Sequence, residues 1–340
     1  MKLNVSSILR DWLVFHLSTI KDIARETGLS LATISKYMNG GHVLDQNRER
    51  IEAAIEKLDY KVNYFARGLK TNRSMTIGVL LPTISSPFFG RVVAAMDAQL
   101  RERGYHCITC SYNFDPQLEL EQLRLLVGIN VDGIVFVPEQ IDADSLMSIA
   151  QDVPMILIDR VIPNFSCDTV VADSLNAIYS ALEALFRKQH RRVGLIVGPQ
   201  EISTARERLI GYRRVHEDYR IPVDEQLIQI GNYDLESGYR LFNGLMDLPE
   251  PPTAVCVTNY DMTVGAITAA HERGIDLPEQ VDFIGFDNID LCRVVTPPLP
   301  IVEQPMEEMG HEAAQLLLRR LDGSKEPPQM LRLKSKISQI

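Results

Sequence analysis

Long apolar runs and a regular cysteine framework are both missing from this 340-residue sequence. No apolar run approaches the roughly 20 residues that cross a bilayer as a helix. The five cysteines are odd in number and widely spaced, so they predict no disulfide framework and indicate a reducing compartment. Cys107 and Cys110 form a C-x-x-C, but they lie in a strand-like run, which favours buried thiols over a metal or redox site. We therefore expect a cytoplasmic protein that does not enter a membrane.

The sequence also lacks the common motifs of enzymes that use nucleotides, metals or an activated serine. It contains no G-x-x-x-x-G-K-S/T, G-x-G-x-x-G, H-E-x-x-H or G-x-S-x-G, and its seven histidines are scattered. We therefore expect neither an enzyme nor a bound cofactor, and we assign no catalytic or metal-binding residue.

Net positive charge is lacking overall, because the formal charge is −10 at pH 7. The charges are unevenly divided: residues 19–74 contain ten lysines and arginines against seven acidic residues, which leaves the rest of the chain acidic. A mildly basic segment on an acidic body fits a protein that meets phosphate groups at one end only. The hydrophobic content of 45% is enough for a large core, and the length suggests two or three domains.

Three short helical patterns follow residue 19. Ile20 and Ile23 fall at i and i+3, on one face of a helix that Gly28 can end. Ser30 is then placed to cap a second helix, and a third apolar pattern spans roughly 46–58. This arrangement is typical of a helix-turn-helix, whose second helix enters the DNA major groove. Periodicity alone fits any three-helix bundle equally well.

From residue 76 the pattern changes to apolar strands that alternate with helices. One series runs to a break at Asp173, and a second series follows it. Two successive βαβ series predict two doubly wound parallel sheets, with a ligand site at the carboxyl ends of their strands.

Specific residues decide between the alternatives for the first segment. Residues 19–40 read T-I-x-D-I-A-x-x-x-G-x-S-x-x-T-I-S-x-x-x-N-G, and residues 59–70 read D-Y-x-x-N-x-x-A-R-G-L-K. Both closely resemble the headpiece of the lactose-repressor (LacI/GalR) family, and A-R-E-R-L-I-G-Y (205–212) and I-G-F-D (284–287) resemble its body. The resemblance implies an all-α helix-turn-helix headpiece and an α/β, two-lobed body like that of periplasmic binding proteins.

The resemblance also implies a domain order. The headpiece would span residues 19–62, a hinge helix and linker 63–74, and an effector-binding and dimerisation domain 75–340. We expect residues 1–18 to be a disordered or misassigned extension, and the alternative is an extra helix packed on the headpiece.

The body is expected to cross between its two lobes more than once. Lobe 1 would contain about 75–173 and 302–333, and lobe 2 would contain about 174–301 and 334–340. The sequence has no heptad tail after the expected last strand, which favours a homodimer over a tetramer held by a coiled coil. A dimer matches a palindromic operator, since one headpiece reads one half-site.

Carried over position by position, the resemblance assigns base reading to Leu31, Ala32 and Lys36. We expect Lys36 to contact guanine and the two apolar side chains to contact thymine methyl groups. Lysine cannot form the bidentate fork of the arginine found here in many relatives, so the base preference is not carried over. The positions that resemble phosphate-contacting or capping residues are Ser30, Thr33 and Asn39.

A second DNA-contacting segment resembles the family's hinge helix, which folds only on the operator and enters the minor groove. Leu69 matches the leucine that wedges between central base pairs, where unstacking is offset by the contacts of the bent DNA. The hinge positions assigned in this way are Asn63, Ala66, Leu69 and Lys70.

The effector site is assigned to strand ends and to aromatic positions of the body. Arg208 lies where the family's arginine binds a ligand hydroxyl or carboxylate, and Asp287 lies where its carboxylate accepts sugar hydroxyls. Structural alternatives remain open, namely a helix cap for Asp287, an interlobe ion pair for Arg160 and core positions for Phe88 and Phe89. The assigned residues are Phe88, Phe89, Glu139, Arg160, Thr204, Arg208, Tyr233, Asn259 and Asp287.

These features together predict a DNA-binding transcriptional regulator, a repressor whose operator affinity is controlled by a small effector between two lobes. Arginine, carboxylate, amide and aromatic side chains suit a carbohydrate or a sugar acid. The sequence has Asn259-Tyr260 where many relatives have Asn-Asp, so the effector is not inferred from any relative. Alternatives are a co-repressor-dependent regulator, a purine effector, a phosphoprotein partner, or a solute-binding receptor.

Overall fold

The chain divides into two units, residues 1–72 and residues 73–340, which are described separately. The computed structural model describes residues 18–38, 41–60, 73–150, 152–287 and 297–338. Expected features that lie outside the described residues are the extension up to residue 17, Asn39, and the hinge positions Asn63, Ala66, Leu69 and Lys70.

The headpiece contains three helices: α1 (Ile20–Thr27), α2 (Leu31–Met38) and α3 (Asp45–Lys57). At the start of α1 the Thr19 N–H donates to the Asp22 carboxylate at 2.9 Å. Gly28 ends α1 at φ +66°, a conformation that glycine adopts without steric cost. The expected Gly turn between the first two helices is therefore present.

Apolar side chains from all three helices form the headpiece core. Ile23, Ile34 and Ile51 are fully buried, one from each helix. The Ser18 hydroxyl donates to the Leu58 carbonyl at 2.7 Å. Ser18 thus belongs to the headpiece, not to the preceding extension, because it closes the contact between the first and last helices.

Lobe 1 of the body is built on six parallel strands in the order β11-β5-β4-β3-β1-β2. These strands are β1 (Thr76–Leu81), β2 (His106–Ser111), β3 (Gly133–Phe136), β4 (Met155–Ile158), β5 (Asp168–Ala172) and β11 (Met330–Leu333). The helices that cover the sheet are α4 (Pro87–Glu102), α5 (Pro116–Gly128), α6 (Ala143–Ala150) and α11 (Met306–Leu321). Separate apolar clusters fill its two faces, as a doubly wound sheet requires.

Lobe 2 is built on a second sheet with the order β12-β10-β9-β8-β6-β7. Its strands are β6 (Val193–Val197), β7 (Ile228–Ile230), β8 (Ala254–Val257), β9 (Asp282–Phe286), β10 (Ile301–Glu303) and β12 (Lys336–Ser338). The helices are α7 (Ser174–Arg187), α8 (Ser203–Asp218), α9 (Leu235–Met246) and α10 (Tyr260–Glu272), with a 3-10 turn at Glu225–Leu227. Two apolar clusters again occupy the two faces.

Two details of the sheets differ from expectation. The second sheet is not wholly parallel, since β12 runs antiparallel to β10 at its edge. Strand β10 pairs with β9 in lobe 2, so the chain crosses to lobe 1 at residues 304–305 rather than at 302. Strand β5 begins at a charged residue, Asp168, whose carboxylate is buried against Arg320 at 2.5 Å.

The C-x-x-C of lobe 1 lies on β2. Residues three apart in a strand point to opposite faces, and Cys107 packs against one apolar cluster while Cys110 packs against the other. Burial raises the pKa of the Cys107 thiol to about 11. This geometry supports the expectation of inert, partly buried thiols.

Candidate effector pocket and DNA-reading face

The body contains a cavity that residues from both lobes line, with about 520 Å³ of free space when the solvent at its open side is included. Several of its polar side chains directly follow a strand, as the rule for doubly wound sheets predicts. Asp159 and Arg160 follow β4, and Asp287 follows β9. We call this cavity the effector pocket, and its lining consists of Thr83, Ser86, Phe88, Phe89, Phe114, Asp159, Arg160, Thr204, Arg208, Tyr233, Asn259, Tyr260, Asp261, Asp287 and Gln304.

Arg208 is held in place from three sides. Its Nη1 donates to the Thr258 carbonyl at 2.6 Å, and its Nη2 donates to Gln304 Oε1 at 3.4 Å. The guanidinium carbon lies 4.7 Å from the centre of the Phe286 ring, a cation–π contact. Only 4% of the residue is exposed, yet its Nε has no hydrogen-bond partner among the described residues. One buried donor is therefore free for a ligand.

Asp287 presents the complementary acceptor. Its Oδ2 accepts from Gln304 Nε2 at 2.9 Å, whereas its buried Oδ1 has no partner among the described residues. Burial raises the pKa of this carboxyl to about 6, although Arg208 and Gln304 act in the opposite direction. An unpaired buried carboxylate oxygen is costly, and a ligand hydroxyl would satisfy it.

Tyr233 and Asn259 complete the wall of lobe 2. The Tyr233 ring lies over Gly198, where an added Cβ would come within 2.0 Å of the ring, and its buried hydroxyl has no partner among the described residues. Asn259 caps α10, since its Oδ1 accepts from the Met262 N–H at 3.0 Å. Its Nδ2 donates to the Tyr233 carbonyl at 3.4 Å. Asn259 thus positions Tyr233 as well as lining the pocket.

The wall of lobe 1 combines three phenylalanine rings with four polar side chains, Thr83, Ser86, Asp159 and Arg160. Phe88 and Phe89 begin α4, and their ring centroids are 5.1 Å apart in an edge-to-face arrangement. Both belong to the core cluster and also line the pocket, so the functional and structural expectations for them are compatible. Phe114 adds a third ring from the loop between β2 and α5.

The charge of Arg160 is offset within its own lobe, although its buried Nε has no hydrogen-bond partner among the described residues. It lies 3.5 Å from Glu139 and 3.5 Å from Asp159, and its Nη1 donates to the Pro138 carbonyl at 3.4 Å. The alternative of an interlobe ion pair for Arg160 was therefore wrong. Glu139 contacts Arg160 but is not among the residues that line the pocket. Its backbone N–H donates to the buried carboxylate of Glu119 at 2.8 Å, which fixes the loop behind Arg160.

The structure thus brings together every assigned effector residue except Glu139 in one cavity. Sequence reasoning missed several lining residues. Asp159 could have been found from the strand-end rule, because it precedes Arg160. Phe114 and Gln304 carried no signal, since one lies in a loop and the other at a crossing between lobes. The missed residues are Thr83, Ser86, Phe114, Asp159, Asp261 and Gln304.

On the headpiece, α2 exposes the residues assigned to DNA. Ser30 caps the helix, because its Oγ accepts from the Thr33 N–H at 3.2 Å. Leu31, Ala32 and Lys36 are all exposed, and a leucine that is 48% exposed fits a surface that meets bases.

A groove runs beside this face of α2. Gly41 packs closely against Lys36, since its N–H donates to the Lys36 carbonyl at 2.8 Å and an added Cβ would lie 2.7 Å from Lys36 Cγ. His42 and Asn47 line the groove beside Lys36, although no sequence pattern had singled them out. Their donor groups add to the set that can contact a phosphate backbone.

A helix-turn-helix module on a two-lobed body with an internal polar pocket defines the class of ligand-responsive DNA-binding proteins. One family model, "Bacterial regulatory proteins, lacI family", matches residues 19–63. A second, "Periplasmic binding protein-like domain", matches residues 182–338. The HTH-type transcriptional repressor CytR of Escherichia coli (strain K12) is 33% identical over 308 residues, which are 90% of each chain. The chain therefore belongs to the lacI family of bacterial regulatory proteins.

Solved structures agree in fold. The complex of the transcriptional regulator CelR with cellobiose matches 94% of this chain and 98% of its own, with 27% identity and a TM-score of 0.71. The lac repressor dimer bound to operator and the anti-inducer ONPF matches 95% of this chain and 98% of its own, with 22% identity and a TM-score of 0.83. The expected family, fold and role as a DNA-binding transcriptional regulator rather than an enzyme are confirmed. The described residues contain no helix long and apolar enough to cross a membrane.

Proposed function

We propose that the chain represses transcription as a homodimer on a palindromic operator, and that a neutral polyhydroxylated effector between the lobes sets its operator affinity. The observation that carries the effector class is the set of buried polar atoms left without partners in and beside the pocket. Among the residues that line the pocket, Arg208 Nε and Arg160 Nε can donate, Asp287 Oδ1 can accept, and the Tyr233 hydroxyl can do either. Adjacent hydroxyl groups of a polyol satisfy such a mixed set, because each hydroxyl both donates and accepts.

The charges of the pocket favour a neutral ligand over a sugar acid. Its lining contains three carboxylates, Asp159, Asp261 and Asp287, against two arginines. Arg160 is already neighboured by two carboxylates of lobe 1, so it offers little attraction to an anion. The cellobiose bound in the CelR complex supports a carbohydrate, although its regulator shares only 27% identity with this chain.

A ligand screen tests the effector class. The full-length protein would be heated in the presence of neutral mono- and disaccharides, nucleosides, sugar acids and sugar phosphates. A ligand at 100 times its dissociation constant should stabilise by about 2.7 kcal/mol, which raises the melting temperature measurably. Arg208→Ala should abolish that rise. Stabilisation by sugar phosphates alone would contradict the proposal.

The DNA half of the proposal rests on α2. Lys36, Leu31 and Ala32 would read bases, while Ser30, Thr33 and Asn39 would hold the phosphate backbone. The operator-bound dimer of the lac repressor supports the dimeric arrangement. The hinge contacts of Asn63, Ala66, Leu69 and Lys70 remain predictions of the same kind.

We expect Lys36→Ala to weaken operator binding by about 5- to 100-fold, because it removes a base contact worth roughly 1–3 kcal/mol. The operator would first be selected from random DNA, and binding would be followed by fluorescence anisotropy at fixed salt. Lys57→Ala is the matched control, since Lys57 is an exposed lysine of α3 already paired with Glu26 at 2.7 Å. Equal losses in both variants would show that Lys36 supplies only charge.

A further inference from the structure

Phe114 is the most exposed of the three phenylalanines that line the effector pocket. Its exposed fraction is 41%, against 6% for Phe88 and 7% for Phe89. Arg208 and Asp287 are only 4% and 8% exposed. The pocket therefore has a buried polar end on lobe 2 and an accessible aromatic surface on lobe 1.

The loop that carries Phe114 is anchored on both sides. The fully buried Tyr112 donates its hydroxyl to the Val137 carbonyl at 2.9 Å. Asp115 caps α5, since its Oδ1 accepts from the Gln117 and Leu118 N–H groups at 2.8 and 3.3 Å. Its own N–H donates to the Tyr112 carbonyl at 2.9 Å. Phe114 is thus presented by a short turn that is fixed at each end.

The backbone of this turn is unfavourable for the side chain that it carries. Asn113 has φ +48° and Phe114 has φ +60°, in the left-handed region that asparagine tolerates and bulky residues avoid. Strained residues of this kind cluster at ligand sites, where the surrounding structure enforces them. Folding alone does not account for Phe114, since its ring buries little and its backbone is disfavoured.

We infer that Phe114 is a specificity-determining residue that binds a second ring of the effector. The inference rests on the proposed function and deepens it: the effector has a polyhydroxylated ring at Arg208 and Asp287, and a further ring with an apolar face against Phe114. Pyranose rings and planar heterocycles both present such a face to an aromatic side chain. Because Phe114 is exposed, a second ring packed against it need not fit inside the buried part of the pocket.

Calorimetric titration of the full-length protein with matched ligand pairs tests this role. The pairs are disaccharides with their monosaccharides, such as cellobiose with glucose, and nucleosides with their sugars, such as adenosine with ribose. Wild type should bind one class of two-ring ligand at least about tenfold more tightly than its one-ring part. Phe114→Ala should remove most of that difference and leave the affinity for the one-ring ligand within about twofold. The class that responds identifies the second ring as a sugar or a base.

Three further variants separate recognition from folding. Phe114→Tyr keeps the ring and should keep the selectivity. Phe114→Asn should raise the melting temperature of the free protein, because asparagine tolerates φ +60°, and should lose the selectivity nonetheless. Leu125→Ala removes an apolar side chain that is 51% exposed on α5 and does not line the pocket, and it should change neither property.

Two outcomes overturn the inference in distinguishable ways. If Phe114→Ala weakens one-ring and two-ring ligands equally, or weakens neither, Phe114 is not selective while the polyol assignment stands. If no polyhydroxylated ligand of either size binds wild type, the proposed effector class is wrong and the role of Phe114 is wrong with it.

Discussion

The two lobes line one pocket with different chemistry. Lobe 2 supplies most of the lining atoms that lack partners among the described residues, chiefly in Arg208 and Asp287, while lobe 1 supplies three phenylalanine rings and a single such atom, Arg160 Nε. Hydrogen bonds fix the orientation of a ligand, whereas ring faces bury its apolar surface. A ligand must therefore contact both lobes to form its hydrogen bonds and to bury its apolar surface. Effector binding therefore depends on how the lobes face each other, which is the property that a regulator can transmit.

Asp159 and Asp287 make the contrast sharper, because they occupy similar places in the two lobes. Each is the residue directly after a strand, and each has a left-handed backbone, with φ +66° and φ +62°. Asp159 lies 3.5 Å from the neighbouring Arg160, so its charge is offset within lobe 1. Asp287 has an oxygen without a partner among the described residues. Both carboxylates line the pocket, but that of Asp159 lies beside an arginine of its own lobe, whereas that of Asp287 has a buried oxygen left to a ligand.

Replacing each aspartate in turn is the strongest test of this contrast. We expect Asp287→Asn to weaken effector binding by about 10- to 100-fold, since a hydrogen bond to a charged group is worth roughly 1.5–3 kcal/mol. Asp159→Asn should change the affinity by less than about threefold. Calorimetric titration with the tightest ligand of the screen measures both. Equal losses would mean that both lobes bind the ligand through carboxylates.

Features whose determinants lie within a few residues of one another could be predicted from the sequence, and features that depend on distant residues could not. The headpiece was predictable because its determinants, such as Gly28 and the Ser30 cap, act within a few residues of one another. Arg160 and Asp287 were predictable because strand ends carry ligand groups in doubly wound sheets. The sequence did not show which polar side chains of lobe 1 pair with each other instead of lining the pocket. Glu139 was assigned to the pocket, but its carboxylate contacts Arg160.

The missed features depend on distant partners. The burial of Asp168 at the start of β5 depends on Arg320, which pairs with its carboxylate across 152 positions of sequence. Gln304 reaches Arg208 and Asp287 only because the chain crosses between lobes at that point. Neither relation leaves a local pattern in composition or periodicity.

Protonation of Asp287 should have a smaller effect on effector affinity than its replacement by asparagine. Its pKa is raised from an ordinary value of 3.8 to about 6 in the folded protein, so protonated Asp287 favours the fold below pH 3.8 and this contribution is lost as pH rises through 6. A ligand hydroxyl donates to the ionised form. Effector affinity should therefore be constant above pH 7 and fall below pH 6, approaching tenfold per unit of pH.

Affinity measured between pH 5 and 8 in wild type and in Asp287→Asn checks this prediction. The variant lacks the titrating group, so its weaker affinity should vary little over the same range. Glu119 and Glu139 also have pKa values raised by burial, and they remain in the variant. A pH dependence that persists in Asp287→Asn would assign the effect to that cluster in lobe 1 instead.

The smallest expected change in effector affinity comes from an ion pair that joins the two lobes outside the pocket. Arg332 of β11 in lobe 1 donates through Nη1 and Nη2 to the Glu207 carboxylate of α8 in lobe 2, at 3.0 and 2.7 Å. Glu207 is adjacent in sequence to Arg208, so the pair holds the ligand-binding helix against lobe 1. We expect Glu207→Gln to weaken effector binding by about two- to fivefold, the range for a partly exposed pair, and to reduce its salt dependence.

The same helix offers a matched control. Arg213 of α8 forms a similar two-pronged pair with Glu225, at 2.6 and 2.8 Å, but both partners belong to lobe 2. Glu225→Gln removes the same chemical group without releasing the lobes, so effector affinity should stay at the wild-type value. Reversing the interlobe pair, with Glu207→Arg and Arg332→Glu together, should recover most of the lost affinity. If the two glutamine variants behave alike, the affinity responds to the charge of α8 and not to the link between lobes.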